Sequence, residues 1–261
     1  MNPLAAAGAA AQRGVIMDES AAGAGAGARG IDVTDGSDSG GDSRRAGFLG
    51  FVAHEVRNPL STALWSAELL SRLPAEERAG ARGERLSSMC LRSVARVRQL
   101  VEDHFLCERL DAGGISLRPE PVPLREVLEA ILARPADRGE VTLDLDAGLA
   151  VAGDRTLVER ALDALVAVAS ADRAAVHVSA REAPGGVIAL VVAGQAPAPD
   201  ALADPTKGSP SEARGRALAL PLARRIASAL GGALAATEGG YVLSLPRAEG
   251  YIARPTPAAR P

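Results

Sequence analysis

The segment Phe51-Val52-Ala53-His54-Glu55-Val56-Arg57-Asn58-Pro59-Leu60 concentrates the side chains best suited to chemistry. A neutral imidazole can attack a phosphoryl group in line, and the phosphorus–nitrogen bond it forms is labile enough to pass the group onward. Glu55 follows His54 directly, and a carboxylate there can accept the proton on the other ring nitrogen and fix the reactive tautomer. Asn58 lies one helical turn beyond His54 on the same face, where its amide can donate to phosphoryl or acceptor oxygens. Arg57 adds a positive charge that either assists this chemistry or is simply solvated.

Other constellations carry less. His104 and Cys107 stand three apart on a helical pattern, but two ligands without a further cluster do not make a zinc site, so no metal is expected. Cys90 and Cys107 lack C-x-x-C spacing and read as reduced thiols within a helix. His177 falls in a strand pattern with no comparable neighbours and reads as structural or exposed. Gly25-Ala26-Gly27-Ala28-Arg29-Gly30 formally matches G-x-G-x-x-G, yet no strand pattern precedes it, and low complexity explains it.

The elements that must position His54 follow from patterning. The chain has 261 residues, 47% hydrophobic and 23% charged, enough for a sizeable core; with aromatics at 2%, that core is built from Leu, Val and Ala. Alanine supplies 54 residues, Lys207 is the sole lysine, and Asn2 and Asn58 are the sole asparagines. A net charge of −3 gives no attraction for phosphate backbones, so nucleic-acid binding is disfavoured. No window approaches 18 apolar residues and the start lacks a basic, apolar leader, so no membrane association and a cytoplasmic location are expected.

Residues 1–43 are Ala, Gly, Ser and Asp with few large apolar groups and read as a disordered tail. From about Arg44 to Leu73, Phe48, Val52, Val56, Leu60, Leu64, Ala67 and Leu70 recur at helical spacing, with a kink expected at Pro59. Pro74 and Gly80 mark a turn. A second helix runs to about Leu110 with Leu86, Cys90, Val94, Val97 and Val101 on one face. One hairpin cannot cover such stripes alone, which predicts a homodimeric four-helix bundle. Beyond Asp111-Ala112-Gly113-Gly114, helices are predicted at Leu124–Leu132, from the Asp154 cap to about Ser170, and at Arg216–Leu230. Strands are predicted at Val141–Leu145, Ala175–Arg181, Val187–Ala193, Ala233–Thr237 and Tyr241–Leu245. That order indicates helices on one face of a mixed sheet, spanning 113–246, with a loose tail at 247–261.

The segment around His54 resembles the phosphoacceptor box of two-component sensor histidine kinases, H-E-[apolar]-R-[N/T]-P-L, at every position. The similarity continues through Leu106–Gly114 and Pro121–Leu128, and about 200 residues, 44–246, follow the family's layout. The resemblance implies an α+β fold. An antiparallel helical hairpin at 44–112 forms a dimeric four-helix bundle, followed by a histidine-kinase-ATPase-like α/β sandwich. It also implies His54 as phosphoacceptor, Glu55 as proton acceptor and orienter, Asn58 as phosphoryl-positioning group, and Arg57 and Pro59 as partner contacts.

The chain departs from the family where Mg-ATP would bind. Register with the turn Asp154-Arg155-Thr156-Leu157 puts Ala164 and Val168 at the two Asn positions, and neither offers an oxygen to a hard cation. At the first glycine box the acceptor Asp is Ala193, and the two glycines are Gln195 and Pro197. At the second box, Gly215-Arg216-Ala217-Leu218-Ala219-Leu220, two glycines are Ala217 and Ala219, whose methyl groups obstruct approach of phosphate to backbone amides. The expected function is therefore histidine phosphotransfer: an enzyme-like carrier with no cofactor of its own. It would exchange a phosphoryl group between His54 and response-regulator receiver aspartates, with Mg2+ supplied by the receiver. Alternatives are a divergent but active ATP-dependent sensor histidine kinase, with Lys207, Arg214 and Arg216 as phosphate binders, and a non-catalytic pseudokinase adaptor.

Overall fold

A computed structural model of the chain describes residues 39–134, 139–146, 148–194, 202 and 218–251. Helix α1 (Ser39–Arg72) turns through the one-turn helix α2 (Ala75–Arg78) into helix α3 (Ala81–Asp111), and the two long helices pack as an antiparallel hairpin. Helix α1 begins five residues before the expected boundary, because Ser39–Ser43, read as tail on composition, extend the helix. It remains one helix through Pro59, which is buried. Proline leaves one carbonyl of the preceding turn without its amide donor, and beyond it Thr62 and Ser66 donate their hydroxyls to the carbonyls of Asn58 and Thr62.

After the hairpin, strand β1 (Glu120–Pro123) leads into helix α4 (Leu124–Ala133), strands β2 (Val141–Leu145) and β3 (Ala150–Gly153), and helix α5 (Arg155–Ala169). Asp154 caps α5 as expected, its Oδ1 accepting from the backbone N–H of Thr156 at 3.1 Å and of Leu157 at 3.3 Å. Strands β4 (Val176–Ala183) and β5 (Val187–Ala193), helix α6 (Ala219–Ala229), and strands β6 (Ala233–Thr237) and β7 (Gly240–Pro246) complete the order.

The main sheet runs β2-β4-β5-β7-β6; β2 and β4 are parallel and the other pairs antiparallel, as a mixed sheet requires. A parallel pair needs a crossover, and α5 supplies it. Strand alternation sends Val176, Val178, Ile188, Leu190, Val192, Tyr241, Leu243 and Leu245 into one buried cluster with α4, α5 and α6. Strands β1 and β3 form a separate antiparallel pair. The end of the sandwich lies beyond Pro246: Val151 bridges to Arg247, and Ala248 donates to the carbonyl of Ala150 at 2.9 Å. Residues 247 and 248, read as tail, are thus tied to the sheet.

The sandwich core continues into the base of the hairpin through Cys107, which is fully buried and whose thiol burial pushes up from 9.0 to about 12. The fold therefore favours the protonated thiol. Its contribution to stability is complete below about pH 9 and declines as pH rises towards 12, by about 1.4 kcal/mol per unit at most. Between about pH 8 and 10.5, the denaturant midpoint of Cys107→Ala should fall less steeply than that of the wild type; parallel curves would refute this source of alkaline sensitivity.

Candidate functional site

His54 stands in the middle of α1, whose residues sort into three faces because each step rotates about 100°. One face carries Val52, Glu55, Pro59, Ala63 and Ser66 into the seam against α3, all buried. A second exposes Leu49, Leu60 and Leu64 at 48%, 54% and 61%. The third carries His54 and Asn58, both exposed, with Arg57 exposed beside them. The imidazole and the amide therefore share a solvent-facing surface, as their four-residue spacing predicts.

Glu55 is placed differently. It is 8% exposed and enters the seam, where its charge reaches Arg96 on α3. Burial pushes the Arg96 guanidinium down, and Glu55 opposes that shift. Adjacency in sequence thus separates His54 from Glu55 by roughly a quarter turn: one projects outward and the other lies beneath. Sequence reasoning missed Arg96, because 41 positions separate it from Glu55 and no local spacing links them. Pro59, expected to contact a partner, is buried on the seam side, and Arg57 is on the open side.

The exposed apolar residues on α3 are Leu91, Val94, Val101 and Phe105, which fall within roughly 80° of one another around the helix. The seam meanwhile holds small or polar groups, Ser66, Ser93 and Gly83 among them. The predicted stripes are therefore divided: Val52, Leu86 and Leu100 close the hairpin, and Leu60, Leu64, Val94 and Val101 face outward.

In the sandwich, the described positions that depart from the nucleotide-site pattern are largely apolar and packed. Val168 and Ala219 belong to the buried core with Ala169, Val192 and Leu220, and Ala164 packs against it. The end of β5 rests directly on the end of α5: a side chain at Gly194 would place its Cβ 2.7 Å from the carbonyl oxygen of Ala169. Gly194 donates to the carbonyl of Gly239 at 3.0 Å, and Ala193 is paired with Gly240. Gln195, Pro197 and Ala217 lie outside the described residues, as do Lys207, Arg214 and Arg216. Ala164 and Val168 offer no polar atom to a magnesium ion, and nearby Glu159 is engaged by Arg134. Among the described residues, no group of three or more His, Cys, Asp or Glu side chains is placed to hold a metal. His177 is exposed, with Nδ1 2.9 Å from the Thr142 hydroxyl.

If position 168 belongs to the core, restoring the family residue has a cost. Val168→Asn buries an amide among apolar groups and should lower stability by about 2 kcal/mol in denaturant unfolding. An unchanged midpoint would show instead that the position still opens onto a polar cleft.

Residues 44–113 match the model of the His Kinase A (phospho-acceptor) domain. Among solved structures, the chain is similar to the Acinetobacter baumannii histidine kinase AdeS, with 21% identity and a TM-score of 0.58 over 74% of this chain and 97% of that one. It is also similar to full-length ShkA, solved in complex with AMPPNP, with 22% identity and a TM-score of 0.53 over 80% of this chain and 47% of that one. Identities this low establish likeness of fold, and that fold is the hairpin followed by the α/β sandwich. No described helix is long and apolar enough to cross a membrane. Residues 44–113 thus carry a phospho-acceptor domain of the His Kinase A type, within a chain whose fold is like that of a histidine kinase.

Proposed function

We propose that the chain is a two-component signalling protein that carries a phosphoryl group on His54 and works with response-regulator receiver domains. The observation that carries this reading is His54 itself, exposed at mid-helix with Asn58 one turn away, inside the segment that matches the phospho-acceptor domain. In-line attack by the imidazole requires an open face on the helix. That face is open here.

Two donors are chemically available to such a histidine. The named neighbours support an ATP-dependent kinase, since AdeS is a histidine kinase and ShkA was solved with an ATP analogue. The residues of this chain support a receiver as donor. Val168 and Ala219 are core side chains, Ala193 replaces the adenine-binding carboxylate, and Ala164 offers no cation ligand. The comparisons favour the kinase, whereas these residues favour a phosphoryl carrier, with the magnesium ion supplied by the receiver. Mg-[γ-32P]ATP should then leave the protein unlabelled, and a 32P-phosphorylated receiver should label wild type but not His54→Ala. Stoichiometric labelling from ATP alone would establish the kinase instead. Receiver binding that His54→Ala does not alter, with no transfer, would establish an adaptor.

The exposed stripes on α1 and α3 support a homodimer through a four-helix bundle, since Leu60, Leu64, Leu91, Val94 and Phe105 are too large an apolar surface to leave hydrated. Light scattering should give a dimer for the wild type and a monomer for Leu64→Glu/Leu91→Glu. A dimer that survives both charges would place the interface elsewhere.

A further inference from the structure

A cleft of about 350 Å³ opens at the end of α3, lined by Leu110 and Asp111 of that helix, by Leu202, and by Arg224, Arg225 and Ser228 of α6. The two arginines precede Ser228 by four and three residues, so the three side chains share one face of α6. The cleft is remote from both sites considered so far. Asp111 lies eleven residues beyond Leu100, which packs level with Val52, and this carries the cleft roughly 16 Å further along the hairpin, away from His54. Ala219, at the nucleotide-site position, opens α6, and Ser228 stands nine residues on, about 13 Å away along the helix.

Its polar lining has donors to spare. Arg225 is committed: Nε donates to both oxygens of Asp111, at 2.8 and 2.9 Å, and Nη1 to the carbonyl of Pro221 at 3.3 Å, so the Asp111 charge is neutralised within the wall. Arg224 uses only Nη1, which donates to the carbonyl of Leu202 at 3.3 Å and holds the guanidinium at the cleft. Among the described residues, nothing accepts from its Nε and Nη2 or from the Ser228 hydroxyl. Two guanidinium groups against one carboxylate leave the wall one positive charge in excess, which outweighs the roughly half negative charge at the C-terminal end of α6. A guanidinium presents paired N–H groups in a plane that matches two oxygens of a phosphate or a carboxylate. Leu110 and Leu202 make the rest of the wall apolar.

We infer that this cleft binds a small organic oxyanion, with its phosphate or carboxylate head on Arg224 and Ser228 and a short apolar body against Leu110 and Leu202. The volume falls at the small end of ligand cavities, which span about 300–1,000 Å³, so the body is no larger than one ring or a short chain. At its distance from His54 the ligand takes no part in phosphoryl transfer, and it binds whichever donor serves the histidine.

Calorimetric titration of the full chain with phenyl phosphate, benzoate and inorganic phosphate tests the site. One of the two aromatic anions should bind with one site per chain, and the tighter of them identifies the head group. Inorganic phosphate should bind at least about tenfold more weakly than phenyl phosphate, because it lacks the apolar body. Arg224 and Ser228 are exposed, so their variants keep the fold, which an unchanged unfolding midpoint verifies. Arg224→Gln should weaken the tighter ligand at least about tenfold, Arg224→Lys by less, and Ser228→Ala about threefold. The Nε–H resonance of Arg224 should shift on saturation. No saturation by either aromatic anion at about 10 mM, equal affinity in Arg224→Gln and wild type, or inorganic phosphate binding as tightly as phenyl phosphate would overturn the proposal.

Discussion

An α-helix gives each of two adjacent residues a different side of the cylinder, and the arrangement of this protein depends on how α1 distributes 54 and 55. Glu55 takes the seam and meets the field of Arg96; His54 is thereby turned outward. Had the register been one residue different, the carboxylate would be in water and the imidazole would be buried beside a guanidinium, where its lone pair could not reach a phosphorus atom. Around that charge pair the seam mixes small residues, Ala63, Ser66, Gly83 and Ser93, with Val52, Leu86 and Leu100, which close the hairpin. At Gly83, where α3 begins, a Cβ would stand 1.9 Å from the carbonyl oxygen of Arg78 in the connecting helix α2, so glycine lets the turn fold tightly onto α3. Other large apolar residues lie on the outer stripes, and the hairpin consequently presents both a reactive face and an adhesive one.

The sandwich keeps the framework of the fold. The alternation that fills the core on β4, β5 and β7 is regular, and the Asp154 cap and the Gly231 turn that closes α6 are intact. At two of the positions where the sequence departs from the family pattern, Val168 and Ala219 belong to the buried core. A domain with this pattern still folds and docks. Its described contacts with the hairpin reach the segment around Phe48 and Val52.

Much of this was legible in the sequence, for identifiable reasons. Helical periodicity located α1 and α3, period-two alternation located β2 and β6 to the residue because each buries one face, and a continuous apolar run located β5, which is buried on both faces. Strands β1 and β3 were missed: each has four residues, and Pro121 and Pro123 in β1 argue against a strand, although a two-stranded pair accommodates them. Ser39–Ser43 were missed because composition alone does not reveal that a helix can extend upstream of its apolar stripe. At the site, spacing gave the shared face of His54 and Asn58. Arg96, which meets the charge of Glu55 beneath that face, is remote in sequence and became visible only once the chain was folded.

The central claim is that His54 bears the phosphoryl group, and phosphorus NMR with mass-spectrometric site mapping of the protein after exposure to a phosphorylated receiver tests it most directly. The account predicts one phosphoramidate per chain, labile in acid and stable in alkali, located on His54 and absent from His54→Ala. An adduct on another residue, or the same signal in His54→Ala, would contradict it.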